Sequence, residues 1–348
     1  MPLAHRYGDQ SDNPLPSIIA INKATGTVIG GREAANRRVE LQEHGAYEVI
    51  TSVKRYLDSD HHWVTNERRW SPVQVAAEVL KQLSRRAESL GVAGGIRRAT
   101  LSVPVGLSPV ARRNLRMAAQ LAGIEATGFV NESTAAFMRY WHDLKTARFV
   151  AVFDWGGGTL DVSVLEVRGD TLYERATAGL PRAGDIIDED LSLLLHRLIM
   201  KERGQSLSFE EMKSRDRDDL LVQAERAKRL LRDKPETVVA LEQYAGAPAQ
   251  VILTRDLARS VVEPHVRAGI ELLAATVQES GIPFDALDET IAIGGSSRLW
   301  LLSQRLEEDS RFMASFRQAD NPEWDVAHGA ALVEERPGRY ALAETLAL

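Results

Sequence analysis

The chain has 348 residues, 44% of them hydrophobic and 26% charged, with 43 Lys and Arg against 49 Asp and Glu for a formal net charge of −6. That length predicts two compact lobes of roughly 150 residues each, and the absence of a basic excess excludes a nucleic-acid binder built on charge. Zero cysteines exclude disulfides, thiolate zinc sites and a Cys nucleophile, while no apolar run approaches the roughly 18 residues that span a bilayer and MPLAHRYGDQSDN lacks a signal-peptide core, so a cytoplasmic protein without membrane contact is expected.

Taken in chain order, Pro16 to Asn22 and Thr27 to Gly31 read as two short strands joined by a turn at Ala24 to Gly26. From Ser71 the pattern becomes helical, with a Ser cap, Pro in the first turn, apolar Val75, Val79, Leu80 and Leu83, and a closing Gly91. Arg98 to Val103 reads as a buried strand, Ser108 to Ala122 as a second Ser-capped helix, Ala126 to Asn131 as a strand and Ser133 to Trp141 as a helix. This alternation predicts a mostly parallel sheet faced by helices. Phe149 to Asp154 and Asp161 to Val167 are two strands around the turn WGGGT, a hairpin that opens the second half. Helices are expected over Asp185 to Arg203, over the long charge-laced stretch Phe209 to Arg232, and from about Arg255 to Ser280, where Pro264 marks a kink or break. Val238 to Tyr244 and Gln250 to Leu253 alternate as an antiparallel pair, and Thr290 to Ile293 is a last buried strand opening onto GGSSR and a further helix.

The sharpest chemical feature is FDWGGGTLDVS, Phe153 to Ser163. Three successive glycines remove the Cβ atoms that would keep backbone from a ligand, and their N–H groups can converge on one concavity, as a phosphate cradle requires. Asp154 and Asp161 flank that loop at the strand ends, a placement suited to Mg²⁺ held largely through its waters. The alternative is a tight Gly-rich hairpin with turn aspartates. A second glycine segment, IAIGGSSR, follows a strand and precedes a helix, where free helix N–H groups can meet part of a nucleotide; a purely structural strand–helix turn reads equally well. Glu132 lies at the carboxyl end of a parallel strand, where open α/β sheets place ligand groups, or else is a first-turn carboxylate favoured by the helix dipole. Glu225, Lys228, Arg229 and Arg232 share one helix face, either solvated ion-pair surface or a guanidinium platform for a flat base. Lys54 alone reads as a surface lysine, and the eight histidines form no metal-ligand pair.

In order along the chain these segments resemble the nucleotide-binding domain of the seventy-kilodalton heat-shock chaperones, within the actin-like ATPase superfamily. FDWGGGTLDVSVL is similar to the family's second phosphate loop, SVPVGLSPVARRNLRMAAQLAGIEATGFVNESTAAF to its connecting segment, ERAKRLL to its adenosine helix, IAIGGSSR to its adenosine motif and NPEWDVAHGAAL to its closing helix. The resemblance implies an α/β, two-lobed, ribonuclease H-like ATPase fold with a central nucleotide cleft: lobe I over 1–148, lobe II over 149–320 with an outer subdomain at about 186–285, and 321–348 as a returning helix and tail. It implies that Gly156, Gly157, Gly158 and Thr159 hold the β- and γ-phosphates of ATP or ADP, and that Asp154 and Asp161 order the waters of Mg²⁺. By the same resemblance Glu132 sits near the attacking water and Lys54 orients it, and Asp154 and Thr159 share in the catalysis. Glu225, Lys228 and Arg229 match ribose and adenine contacts, Arg229 and Arg298 sandwich the adenine, and Gly294, Gly295 and Ser296 line the pocket. Positioning and charge neutralisation would carry the hydrolysis.

The sequence also departs from the family pattern. Nothing in Met1 to Leu15 resembles the family's D-L-G-T-T-like first phosphate loop, Arg232 stands where the family has a serine, and Asn131-Glu132-Ser133-Thr134 stands for N-E-P-T. The stretch between Lys54 and Ser71 is short, implying a reduced outer subdomain of lobe I, and no β-rich client-binding domain is encoded, so no client-peptide site is expected. The reading is an ATP-binding, weakly hydrolysing domain of a chaperone-like protein, with a co-chaperone or nucleotide-exchange protein as its partner class. The alternative is a nucleotide-binding pseudo-ATPase acting as regulator or scaffold; a sugar kinase or a filament-forming actin-like protein would share the fold but not ERAKRLL and VNESTAAF.

Overall fold

The computed structural model describes residues 15–335 except 44, 67, 142–146, 170, 182, 313–314 and 320–323. These fall into two units, the first built from 15–103, Leu107–Asn131 and 324–335, the second from Pro104–Gly106 and 132–319.

In the first unit β1 (Ile19–Asn22) pairs antiparallel with β2 (Val28–Gly30) and, across its other edge, with β3 (Tyr47–Ile50). The turn at Ala24 to Gly26 forms because the Asn22 carboxamide oxygen accepts from the backbone N–H groups of Ala24 and Thr25 at 3.0 and 2.9 Å. Two short helices, α1 (Gly31–Asn36) and α2 (Arg38–Glu43), fill the β2–β3 connection, and β4 (Trp63–Thr65) and β5 (Arg68–Trp70) make a small hairpin; none of these, nor β3, is legible as a separate element in the sequence pattern. Helix α3 (Pro72–Ser89) starts on a reciprocal cap, with the Ser71 hydroxyl accepting from Gln74 N–H and the Gln74 side chain from Ser71 N–H. Its buried Val75, Ala76 and Ala77 meet Ile19, Ile21, Trp63 and Trp70 in one core. β6 (Arg98–Val103), helix α4 (Pro109–Leu121) and β7 (Glu125–Asn131) form the expected parallel crossover. The closing helix Asp325–Glu335 packs on β6 and β7, where the Glu334 carboxylate accepts from the hydroxyls of Thr127 and Thr100, the latter at 2.7 Å.

The main run of the second unit opens with helix α5 (Glu132–Tyr140), which packs on β8 (Phe149–Trp155) and β9 (Leu160–Arg168). β8, β9 and β10 (Thr171–Leu180) are consecutive antiparallel strands, and β10 is an addition to the sequence reading. Helix α6 (Gly184–Arg203) and helix α7 (Ser214–Leu230) pack side by side, followed by the antiparallel pair β11 (Glu236–Tyr244) and β12 (Ala247–Thr254). Helix α8 (Arg255–Glu279) runs unbroken through Pro264, because fully buried Val262 and Val266 anchor it on both sides of the missing N–H. β13 (Glu289–Ile293), helix α9 (Trp300–Glu308) and β14 (Ser315–Gln318) complete a sheet of order β10-β9-β8-β13-β14, with β13 parallel to both neighbours. The apolar face of β8 and β9, including Phe153, Trp155, Leu160 and Val162, packs into the main core with α6 and α8. Gly269 of α8 permits that approach, since a Cβ there would lie 3.1 Å from the Phe153 ring and 3.2 Å from Leu160.

Candidate functional site

Alternation along β8 sends Phe153 and Trp155 to the core and Asp154 to the opposite face. Asp154 and Asp161 are directly opposed across the ladder, so both carboxylates emerge on one face of the hairpin, 7% and 1% exposed. Ser163 continues that face and its hydroxyl meets that of Ser133 in α5 at 2.6 Å. The helix that Glu132 opens therefore covers the same side of the sheet as the two aspartates. Asp161 Oδ1 accepts from Val105 N–H at 2.9 Å. Two buried acids on one rung form a hard oxygen donor set that a hydrated Mg²⁺ fits; among the described residues there is no larger His, Asp and Glu group that could hold a metal.

The glycine turn is closed by Gly156 N–H donating to the Thr159 carbonyl at 3.0 Å. Its carbonyls are then gathered by the start of α6: Gly184 N–H donates to Gly156 O at 3.2 Å and Asp185 N–H to Gly157 O at 2.8 Å. Ser296, from the GGSSR segment, donates its hydroxyl to the same Gly156 O at 2.9 Å. With their carbonyls turned to protein donors, the peptides of the loop are held in a fixed orientation. The packing leaves no room for larger residues: a Cβ on Gly184 would sit 2.2 Å from the Ser296 hydroxyl and 3.0 Å from Gly156 O, and one on Gly294, whose φ is +80°, would sit 2.4 Å from Trp155 O. Gly295 faces open space.

Lys228 is a buried lysine whose ammonium donates to Gly184 O at 3.0 Å and to Asp188 Oδ2 at 2.7 Å. Burial pushes the Asp188 carboxyl up to about 6, against the pull of Lys228; Glu225 and Asp185 push it the same way. Glu225 and Arg229 stand exposed on the same helix and pair with each other at 2.6 Å, one turn apart. Arg298 donates to Ala319 O at 3.3 Å, and Gln318 to Ser297 O at 2.9 Å, which ties the second glycine segment to β14. Thus Asp154, Gly156, Gly157, Gly158, Thr159, Asp161, Lys228, Gly294, Gly295, Ser296 and Arg298 all belong to the second unit, with the loop, the start of α6, Lys228 and Ser296 joined by direct hydrogen bonds. Lys54 lies in the first unit, exposed on a single 3-10 turn, Val53–Tyr56. Arg232 is exposed beside Asp233, 3.4 Å away.

Sequence reasoning missed Gly184, Asp185 and Asp188. The run AGDIID carries a helix-start signal and nothing that announces contact with a loop 28 residues earlier; only the length of β10 brings it there.

A glycine turn between two antiparallel strands, two acids at its base and a second glycine segment on a parallel neighbour are arranged as in an α/β lobe of the actin-like fold class. The chain belongs to the Hsp70 family: the model described as Hsp70 protein matches residues 9–335. It is 31% identical over 324 residues to the chaperone protein DnaK of Thermosipho africanus and 30% identical over the same length to that of Thermosipho melanesiensis, in each case covering 91% of this chain and 52% of the relative. The DnaK of Thermotoga neapolitana is 30% identical over 325 residues, 91% of this chain and 53% of that protein. The chain thus spans about half the length of the curated relatives it matches. No described helix is long and apolar enough to cross a membrane.

Proposed function

We propose that the chain is a nucleotide-binding module that takes ATP and ADP with Mg²⁺ and hydrolyses ATP slowly, as part of a chaperone-like protein with a co-chaperone or nucleotide-exchange protein for a partner. The observation that carries the reading is the anchoring of Gly156, whose carbonyl accepts from both Gly184 N–H and the Ser296 hydroxyl. A loop so held has its peptides oriented before any ligand arrives, which is what binding a polyphosphate through backbone N–H groups requires. Gly156, Gly157, Gly158 and Thr159 would bind the β- and γ-phosphates, and Asp154 and Asp161 would hold the metal's waters. Mg²⁺, when bound, supplies neutralisation of phosphate charge. Glu132, on the aspartates' side of the sheet, would orient the attacking water and share its proton, with Lys54 as the second orienting group. Glu225 and Arg229 would face the sugar and base from the helix that also carries Lys228, whose own ammonium is taken by Gly184 O and Asp188; Arg229 and Arg298 would flank the adenine, and Gly294, Gly295 and Ser296 would line its pocket.

Calorimetric titration of the chain with Mg-ATP and Mg-ADP tests this. Saturable heat that disappears in Asp154→Ala is expected, and no heat at millimolar nucleotide in the wild type would sink the reading. Single-turnover hydrolysis abolished by Glu132→Ala and by Lys54→Ala is the expected sign of catalysis; saturable binding without any turnover would instead favour a nucleotide-binding regulator.

A further inference from the structure

We propose that Asp188 is a positioning residue, whose carboxylate holds the Lys228 ammonium on the Gly184 carbonyl and so fixes the phosphate loop to helix α7 through the first turn of α6. The inference rests on the nucleotide-binding reading above for its ligand, but not for its geometry.

Four contacts in series make the connection. Lys228 of α7 donates to Asp188 Oδ2 at 2.7 Å and to Gly184 O at 3.0 Å; Gly184 N–H, on the other side of the same residue, donates to Gly156 O at 3.2 Å; and Asp185 N–H, in the peptide whose carbonyl Lys228 grips, donates to Gly157 O at 2.8 Å. Gly184 O and Asp188 lie one turn apart on α6, so a single ammonium bridges them only while the first turn keeps helical spacing. An ammonium polarising a peptide carbonyl also makes that peptide's N–H a better donor, and the N–H concerned is the one that holds Gly157. Both partners are buried, and Asp188 Oδ1 has no hydrogen-bond partner among the described residues. A buried carboxylate with one oxygen unsatisfied is a poor device for stability alone, which points to a positional role.

The groups that face Asp188 set the pH at which the connection weakens. From α7 these are Lys228 and Glu225, and from its own helix Asp185; β12, also packed on α6, carries no charged side chain, and from α8 His265 is engaged with Asp190 at 2.8 Å. Since burial holds the carboxyl at about 6, protonation in mildly acid solution removes the charge that retains Lys228.

Two measurements on the full chain test the assignment. In Asp188→Asn, affinity for Mg-ADP is expected to fall about tenfold, the scale of one lost charge-assisted hydrogen bond, while affinity for adenosine, which has no phosphate, changes less than twofold; equal losses for both ligands, or none, would overturn the proposal. In the wild-type chain without nucleotide, backbone amide exchange at Gly184 and Asp185, corrected for its intrinsic pH dependence, is expected to lose protection with a midpoint near pH 6, and protection independent of pH between 8 and 5 would equally overturn it. The second measurement needs neither a variant nor a ligand, so it judges the role of Asp188 even if Asp188→Asn fails to fold or the wild type binds no ADP; only the latter result speaks against nucleotide binding.

Discussion

At each end of the β8–β9 hairpin a carboxylate is buried beside cations, with opposite results. At the end away from the glycine turn, Glu166 is 2% exposed and lies among three arginines: Arg168 donates to both its oxygens at 2.8 and 2.9 Å, Arg175 donates at 3.4 Å and Arg148 is 3.6 Å away. Hydrogen bonding from Arg168 holds the Glu166 carboxyl below the usual carboxylate range, with the charges of Arg168, Arg175 and Arg148 adding to it. At the glycine end, Asp188 has one lysine, one oxygen without a partner among the described residues, and a carboxyl raised to about 6. The first end satisfies its charge completely and contributes to stability; the second leaves charge incompletely satisfied behind the first turn of α6, which holds the glycine turn. An acid raised by desolvation beside a specific charge partner is a candidate for a functional role.

Substitutions can break or sharpen this contrast. The largest effect is expected at the glycine end from Gly294→Ala, where a new Cβ meets backbone at Trp155 and the φ of +80° is unfavourable to alanine. A loss of about 2–4 kcal/mol in urea unfolding, with loss of nucleotide binding, is expected; a variant as stable as wild type would contradict tight packing of Gly294 against Trp155. Asp154→Ala should lower Mg-nucleotide affinity about 100-fold, equivalent to ~2.7 kcal/mol, with little change in melting temperature. Glu166→Gln should do the reverse, costing about 1–2 kcal/mol of stability, since its arginines stay partly solvated, while leaving ADP affinity as it was. Any loss of ADP binding in that variant would erase the distinction between the two ends.

The pH dependences should also run in opposite directions. Glu166, depressed in the folded chain, contributes stability that is present above its unfolded value of 4.5 and is lost as pH falls through the lower folded value. Asp188, raised from 3.8 to about 6, contributes stability that is fully present below 3.8 and is lost as pH rises through 6. Lowering the pH from 7 to 5 should therefore stabilise the wild type relative to Asp188→Asn by about 1 kcal/mol, measured by urea unfolding at each pH, and leave the difference between wild type and Glu166→Gln unchanged. The smallest effect is expected from Arg229→Ala: its pair with Glu225 is solvent-exposed, so thermal stability should change by less than about 0.5 kcal/mol.

Much of the site was legible because its chemistry sits on local signals. Three glycines between two alternating runs announce a turn with bare backbone, and an aspartate at each strand end falls on the same rung by the pairing of an antiparallel ladder. The Ser-capped helices and the β6–β7 crossover were legible for the same reason. The strand β10 was not: its sequence TLYERATAGL alternates poorly, and a register shift between Glu174 and Ala176 breaks the period that would have revealed it. Without β10 nothing places Gly184 beside Gly156, so the grip of Lys228 on the Gly184 carbonyl was not legible from its place on a charged helix face. Pro264 misled in the other direction, because a single missing N–H is a small loss for a helix whose neighbouring turns are buried in the core.

The anchoring of Glu334 to Thr100 and Thr127 bears on how the molecule is made. These partners are 234 and 207 residues apart in the chain, with residues 132–319 of the second unit between them. At translation rates of roughly 5–20 residues per second, β6 and β7 would emerge about 10–40 s before the helix that covers them. During synthesis the second unit can therefore assemble first, while the threonines of β6 and β7 wait in solvent for the arrival of their acid.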